Sequence, residues 1–239
     1  MKIEELFQRL SYGELSNLAV ASEGSGSILV AAYPRFIHYT NEALLRLYSR
    51  FVLFENLLFV EQVGSLTSYP LSMPFAESNV ASTEVHKFIK DGSPRTPFLD
   101  DVIKIIDVQD ESGYSYPLND EKDVNSLFTP RPTLLQIPIP QNTVVLCVNY
   151  QARHPLLDAT LTAVDLLAQT FEIPFTVEGA LQNYIAHLVY SHMNGQENIM
   201  KSQEYLAKYE SICAEIEKMD LVNQSISTTN ARFTIRGWI

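Results

Sequence analysis

The spacing of apolar residues changes twice along the chain, and this change constrains the fold more than any other feature of the sequence. Near both ends, apolar residues recur at the spacing of one face of an α-helix, whereas the middle contains short runs rich in β-branched and aromatic residues. Helices, then strands, then helices predict an α+β fold. We expect an antiparallel helical bundle formed by the N- and C-terminal helices, with a β-rich insertion and an extended C-terminal arm.

Four segments follow from this pattern. The N-terminal helices of the bundle occupy residues 1–52, and the β-rich insertion occupies residues 53–155. Residues 156–220 supply the C-terminal helices, although 156–171 is ambiguous between helix and strand. Residues 221–239 form the arm.

The first half of the chain contains two predicted helices and a predicted hairpin. The first helix carries an apolar stripe that continues past Gly13, and Pro34 suits the first turn of the second helix. Residues 57–64 and 67–71 are rich in β-formers on either side of a Gly-Ser turn, which predicts that they pair as a hairpin. The first stripe consists of Ile3, Leu6, Phe7, Leu10, Leu15 and Leu18.

Further strands are predicted at 102–108, 114–118 and 143–150, with a turn at Ser112-Gly113. The last of the three is the most strongly apolar and β-branched. Four prolines confine residues 129–140 to loop or edge positions. A long polar connection at 72–96 is typical of a loop that contacts a partner or moves.

Helical spacing returns after Pro174. It predicts one helix that ends near Asn194-Gly195 and a second helix from Gln196 to Met219. The short link predicts that these two helices lie antiparallel.

Charge and cysteine content bound the function. The formal net charge of −11 argues against a general nucleic-acid binder, although DNA could pass through an acidic ring without adhering. Cys147 and Cys213 are expected as buried thiols with no disulfide, which fits a reducing cytoplasm. No signal peptide or membrane span is expected, so we predict a protein that is soluble and intracellular at synthesis.

No pattern of catalytic residues stands out. His187 and His192 are five residues apart, so they do not share one helical face as the ligands of an HExxH metal site would. The Gly-rich stretch at 22–26 lacks the lysine of a phosphate-binding loop. No GxSxG motif occurs, and paired carboxylates such as Asp100-Asp101 fall at the ends of elements. We therefore expect no enzyme, cofactor or metal site, although a site assembled from distant residues stays open.

The C-terminal arm is the strongest candidate for binding. It has no acidic residue, and it combines arginine with aromatic residues, the types that dominate interface hot spots. The alternative is a frayed tail, against which its apolar ending argues. The candidate binding residues are Arg232, Phe233, Arg236, Trp238 and Ile239.

Three stretches carry a family resemblance. Residues 36–72 contain an Asn-x-Ala-Leu-x-x-Leu-Tyr-x-Arg pattern from Asn41 to Arg50, followed by strand residues and Tyr69-Pro-Leu. Residues 144–159 contain an apolar run that ends in Tyr150, Ala152 and Pro155, and 173–216 contains Ile-Pro, then Ala-Leu-x-x-Tyr-Ile-Ala and a second helix. Taken in their order, these stretches resemble the head-to-tail adaptor (head completion, or neck) proteins of tailed bacteriophages.

The resemblance implies a structural virion protein. Such a protein forms a ring, typically of twelve copies, below the portal in the neck of the virion, after assembly in the host cytoplasm. It implies that the bundle forms the ring wall, that the β insertion faces tail (nozzle or tube) proteins and that the arm grips the portal protein. DNA would pass through the lumen without specific binding. The resemblance supplies no catalytic residues.

Two other classes remain open from the sequence. A tail-tube or tail-completion protein would bind tail proteins rather than the portal. A hydrolase would require a deep pocket lined by histidines and carboxylates with perturbed pKa values.

Overall fold

The chain folds as a mixed α+β protein with antiparallel sheets, which confirms the fold class at that level. The computed structural model describes residues 1–16, 28–91, 97–219 and 221–222. The helices are α1 (Ile3–Tyr12), α2 (Tyr33–Arg50), α3 (Ala163–Ala168), α4 (Glu178–Ser191) and α5 (Gln196–Met219). The strands are β1 (Glu55–Glu61), β2 (Ser68–Pro70), β3 (Ile89–Lys90), β4 (Val102–Asp110), β5 (Phe128–Arg131), β6 (Leu134–Gln136) and β7 (Val145–Ala152).

The chain divides into two compact units. A helical unit comprises residue 1 with 3–29 and 172–239, and a sheet unit comprises residue 2 with 30–171. Helix α2 lies in the sheet unit, so the helices that the sequence grouped in one bundle are divided between the units. The α+β class is thus established, while the predicted bundle arrangement and the four-segment division stay predictions.

The predicted helical hairpin is confirmed within the helical unit. Helix α5 spans the predicted residues, and Gly195, with φ of +113°, makes the turn from α4 in a conformation that suits glycine. Tyr190 stacks on Tyr205, and the earlier Tyr184 packs against the later Tyr209, so contact positions fall along α4 as they rise along α5. The helices are therefore antiparallel. Arg9 on α1 bridges Glu178 on α4 at 2.5 Å.

The sheet unit contains two antiparallel sheets that share one core. Four strands follow the order β3-β1-β7-β4, and three follow β2-β6-β5. Alternate residues of the paired strands β1 and β7 point into this core, including Leu58, Val60, Leu146 and Val148. Tyr69 of β2 and Leu135 of β6 join the same apolar cluster. Burial of one face from each sheet therefore holds the unit together.

The predicted hairpin between residues 57–64 and 67–71 is wrong. Strand β1 pairs with β3 and along its whole length with β7, whereas β2 pairs with β6. The eight-residue β7 offers β1 seven register pairs with matched apolar residues, more than three-residue β2 can offer. The Tyr69 hydroxyl bonds both the N–H and the carbonyl of Val63 at 3.0 Å, which stabilises a connection between sheets rather than a hairpin turn.

The other strand predictions have mixed outcomes. Strands β4 and β7 lie where expected, and Gly113 turns with φ of +83°. Residues 114–118 form only isolated bridges, through Ser115 and Leu118, not a strand. Strand β5, which contains Pro130, is an edge strand as predicted, but β6 is central, because its three residues include no proline.

Candidate interaction surfaces

The predicted binding residues of the arm lie outside the described part of the chain. Arg232, Phe233, Arg236, Trp238 and Ile239 all follow residue 222, the last one described. Their role stays a prediction. The described residues nevertheless contain two surfaces with the chemistry of protein contacts, and both lie in the sheet unit.

A groove lies beside α2 because two hydrogen-bonded clamps fix the end of β7 against this helix. The amide of buried Gln151 donates to the carbonyls of Tyr48 and Phe51, the second at 3.0 Å. Nearer the start of α2, the Asn41 side chain donates to the Leu157 carbonyl and accepts from the Leu157 N–H, both at 2.9 Å. The chain from 151 to 157 is thereby held along the helix.

The space between this segment and α2 forms a cavity of about 200 Å³, which we call the α2 groove. Its floor includes the buried Leu44, while Leu45 and Leu156 remain 50% and 67% exposed. Aliphatic side chains thus meet solvent in a concave site, an arrangement that favours an apolar partner group. Its lining residues are Asn41, Glu42, Leu44, Leu45, Arg153, His154 and Leu156.

Arg153 gives the α2 groove a cationic edge. Its guanidinium donates to the carbonyl of Asp100 at 3.3 Å, and among the described residues it forms no ion pair. Glu42 also lines the groove, so the site carries one charge of each sign. The His154 ring packs edge-on against Tyr48 and Phe171, with ring centroids 5.6 and 6.2 Å away, which gives this histidine a packing role.

The second surface is the connection predicted to contact a partner or move. Residues 72–91 of it are described, and they are held by hydrogen bonds from side chains to backbone. Ser82 Oγ donates to the Pro74 carbonyl at 2.5 Å, and Lys87 Nζ donates to the Asn79 carbonyl at 2.6 Å. Stacked rings of Phe75 and Phe88, 4.9 Å apart, support its base.

The tip of this connection presents apolar side chains to solvent. Val80 is 93% exposed and Val85 is 88% exposed, and we call residues 80–85 the valine protrusion. Glu84 lies between them, is exposed, and forms no ion pair with any described residue. A hydrogen-bonded loop that exposes two valines is suited to insert them into a partner. Because the backbone of such a loop is already ordered, binding costs less conformational entropy.

A second cavity of about 200 Å³ lies at the start of β7. Gln62 is buried beside it and accepts the Gln141 N–H through Oε1 at 2.8 Å. Thr143, with φ of +65°, continues this turn. The lining combines aliphatic side chains with the amides of Gln62, Asn125 and Gln141, the Tyr116 ring and the Ser126 hydroxyl, and it contains neither histidine nor carboxylate.

Titratable groups outside these surfaces serve the packing. Cys213 is buried as expected, but Cys147 is only partly buried. Its partial burial, with the nearby Asp107 carboxylate, raises the pKa of the Cys147 thiol, which disfavours the reactive thiolate. His187 Nδ1 lies 2.9 Å from the Ser202 hydroxyl across the α4–α5 hairpin. Within the described ranges no three His, Cys, Asp or Glu residues come together as metal ligands, and no helix is long and apolar enough to cross a membrane.

Comparison with known proteins finds no matching family model and no matching curated protein. Sequence reasoning missed the α2 groove, since its residues come from 41–45 and 153–156 and neither stretch shows a groove by itself. The sequence feature that could have indicated the groove was Leu45, an apolar residue that lies beside the buried apolar stripe of α2. The predicted polar connection at 72–96 is only partly right, because its described residues include strand β3 (Ile89–Lys90) of the four-stranded sheet, with Phe88 and Ile89 buried. The fixed conformation of residues 72–88 was not foreseen.

Proposed function

We propose that this chain is the head-to-tail adaptor subunit of a tailed-phage virion. Copies form a ring below the portal, join the head to the tail and let DNA pass. Residues 221–239 anchor each copy on the portal protein, while the sheet unit faces tail proteins. The acidic charge of the chain suits a lumen that repels the DNA backbone.

One observation carries the proposal. Asn41, from the first stretch that resembles the adaptor family, makes two hydrogen bonds to Leu157, which belongs to the second stretch. The strands of these two stretches, β1 and β7, also pair along the whole of β1. Residues that carry the resemblance therefore support one another structurally, as expected when they belong to one architecture.

Binding to the portal tests this function. We expect the intact protein to bind the purified portal assembly of the same virus in a saturating, defined number of copies, measured by light scattering on a sizing column. A chain ending at residue 220 should keep its far-UV circular dichroism, because the described helices and strands precede that point. It should bind at least about tenfold more weakly, since one interface hot spot is worth about 2 kcal/mol or more.

A point variant separates the arm's chemistry from its length. The double variant Arg236→Glu, Trp238→Ala should lose portal binding. Arg131→Glu is the control, because it makes the same arginine-to-glutamate charge reversal at an exposed position at the end of β5. Equal binding by the truncated and intact chains overturns the anchoring role of the arm. No binding by the intact chain, with a stable small oligomer in solution, favours a tail-side component instead.

A further inference from the structure

The valine protrusion and the α2 groove are two apolar surfaces of the sheet unit that both remain exposed to solvent. Val80 and Val85 are almost wholly exposed, so no described part of their own chain covers them. Leu45 and Leu156 likewise remain half exposed or more beside the α2 groove. Neither surface is therefore covered by an apolar group from the described residues of its own copy.

The two surfaces match in chemistry. The protrusion offers β-branched valines, which are stiff and lose little rotamer freedom on docking, and the groove offers leucines around a cavity of about 200 Å³. That volume is several times the roughly 30 Å³ that a water molecule occupies in the liquid. It is therefore large enough to receive an aliphatic side chain.

The charges beside the valines and leucines include one complementary pair, Glu84 and Arg153. Glu42 also lines the groove, so only the Arg153 side of its rim attracts Glu84. Glu84 at the protrusion has no ion-pair partner among the described residues, and the same is true of Arg153 at the groove. A carboxylate and a guanidinium brought together at the rim of an apolar contact fix its register and orientation.

The geometry points to a head-to-tail contact between copies of this chain, in which the valine protrusion of one copy enters the α2 groove of the next. Two different surfaces meet in such a contact, so each copy keeps one of each free for a further copy, and a ring or an open filament results. This inference rests on the proposed function, because it supplies the copy-to-copy contact of the ring. The contact is too small to hold two free copies together firmly, since stable interfaces bury about 1,200–2,000 Å².

Cysteine trapping tests the contact without the portal. In a Cys147→Ser, Cys213→Ala background whose circular dichroism matches the native chain, Val80→Cys and Leu156→Cys are introduced on separate chains of different length. Mild oxidation with copper phenanthroline should give dimers that contain one chain of each kind, at several-fold higher yield than either like pair. A single chain with both cysteines should give a ladder of higher species. Val124→Cys, a valine that is 80% exposed elsewhere in the sheet unit, is the matched control for Val80→Cys.

Charge reversal provides the second measurement and keeps the native cysteines. Glu84→Arg alone and Arg153→Glu alone should each lower self-association in sedimentation velocity at high concentration. An equimolar mixture of these two variants should restore it, because each protrusion then meets a groove of opposite charge on the other variant. The chain with both reversals should restore it, because its protrusion and groove match again. Mixed dimers no more frequent than those of the Val124→Cys control, or no rescue by the double reversal, overturns the contact. Trapping of mixed dimers by a chain that fails to bind the portal supports the contact and refutes the portal adaptor.

Discussion

The two hydrogen bonds between Asn41 and Leu157 allow a quantitative test of how the α2 groove is built. In Asn41→Ala both bonds, each 2.9 Å long, are lost, and the N–H and carbonyl of the buried Leu157 are left without their partner. A typical net hydrogen bond contributes about 1 kcal/mol, and an unsatisfied buried polar group costs about 1–3 kcal/mol. We expect the free energy of unfolding of the sheet unit to fall by about 2–4 kcal/mol.

The measurement must report on the sheet unit. The single tryptophan of the chain, Trp238, lies far outside that unit in sequence, so its fluorescence is unsuitable. Hydrogen exchange at the amides of β1 and β7, which lie in the sheet unit, measured against urea concentration, gives the free energy of unfolding of that unit. Native-state hydrogen exchange at the Leu157 amide gives the local effect, and we expect this amide to lose protection even in solution conditions where the whole unit stays folded.

Two variants control the interpretation. Asn41→Asp keeps an oxygen that accepts the Leu157 N–H but places a carboxylate beside the Leu157 carbonyl, so it should retain protection of the amide while still losing stability. Asn125→Ala removes an exposed amide whose side chain makes no hydrogen bond among the described residues, and it should change the free energy of unfolding by less than about 0.5 kcal/mol. A loss below 0.5 kcal/mol for Asn41→Ala, with unchanged exchange at Leu157, would refute the clamp.

Two further predictions concern the sheet unit. The Tyr150 hydroxyl donates to buried Asp101 at 2.8 Å, and burial, together with this carboxylate, raises the pKa of Tyr150 above its usual range. The folded chain thus retains a proton that the unfolded chain releases above about pH 10, and stability falls as the pH rises beyond that value. Tyr150→Phe should remove this alkaline loss of stability and should lower the free energy of unfolding at neutral pH by about 1.5–3 kcal/mol, measured by urea unfolding at several pH values. If the free energy of unfolding of Tyr150→Phe falls above about pH 10 as steeply as that of the native chain, the prediction is wrong. Thr143 adopts φ of +65°, a left-handed conformation that is unfavourable for a β-branched residue, so Thr143→Gly should raise the urea midpoint by the equivalent of about 1 kcal/mol, and a lower midpoint counts against strain there.

Helices were the elements best predicted from sequence. The apolar spacing and Gly195 predicted α5 and its antiparallel partner, because helix formation and termination depend on residues within a few positions of one another. Strands β4 and β7 were recognised for a similar reason, from their runs of β-branched and apolar residues.

Strand partners could not be predicted in the same way. A Gly-Ser turn between two β-rich runs predicted a hairpin, yet β1 pairs with β7, where Glu55 lies opposite Gln151. That choice depends on which distant strand offers the longest matching register and the better shared core. Local turn propensity carries no information about that competition.

The sequence by itself therefore determined the α+β class, the helical hairpin and the positions of the main strands, since these depend on periodicity within short windows. Only the tertiary structure decided the sheet order, the division of the chain into its two units and the α2 groove. The groove exists because Asn41 and Gln151 hold segments that are a hundred or more positions apart in the chain against one another. Contacts over such separations form from the whole packed core, and no local pattern specifies them.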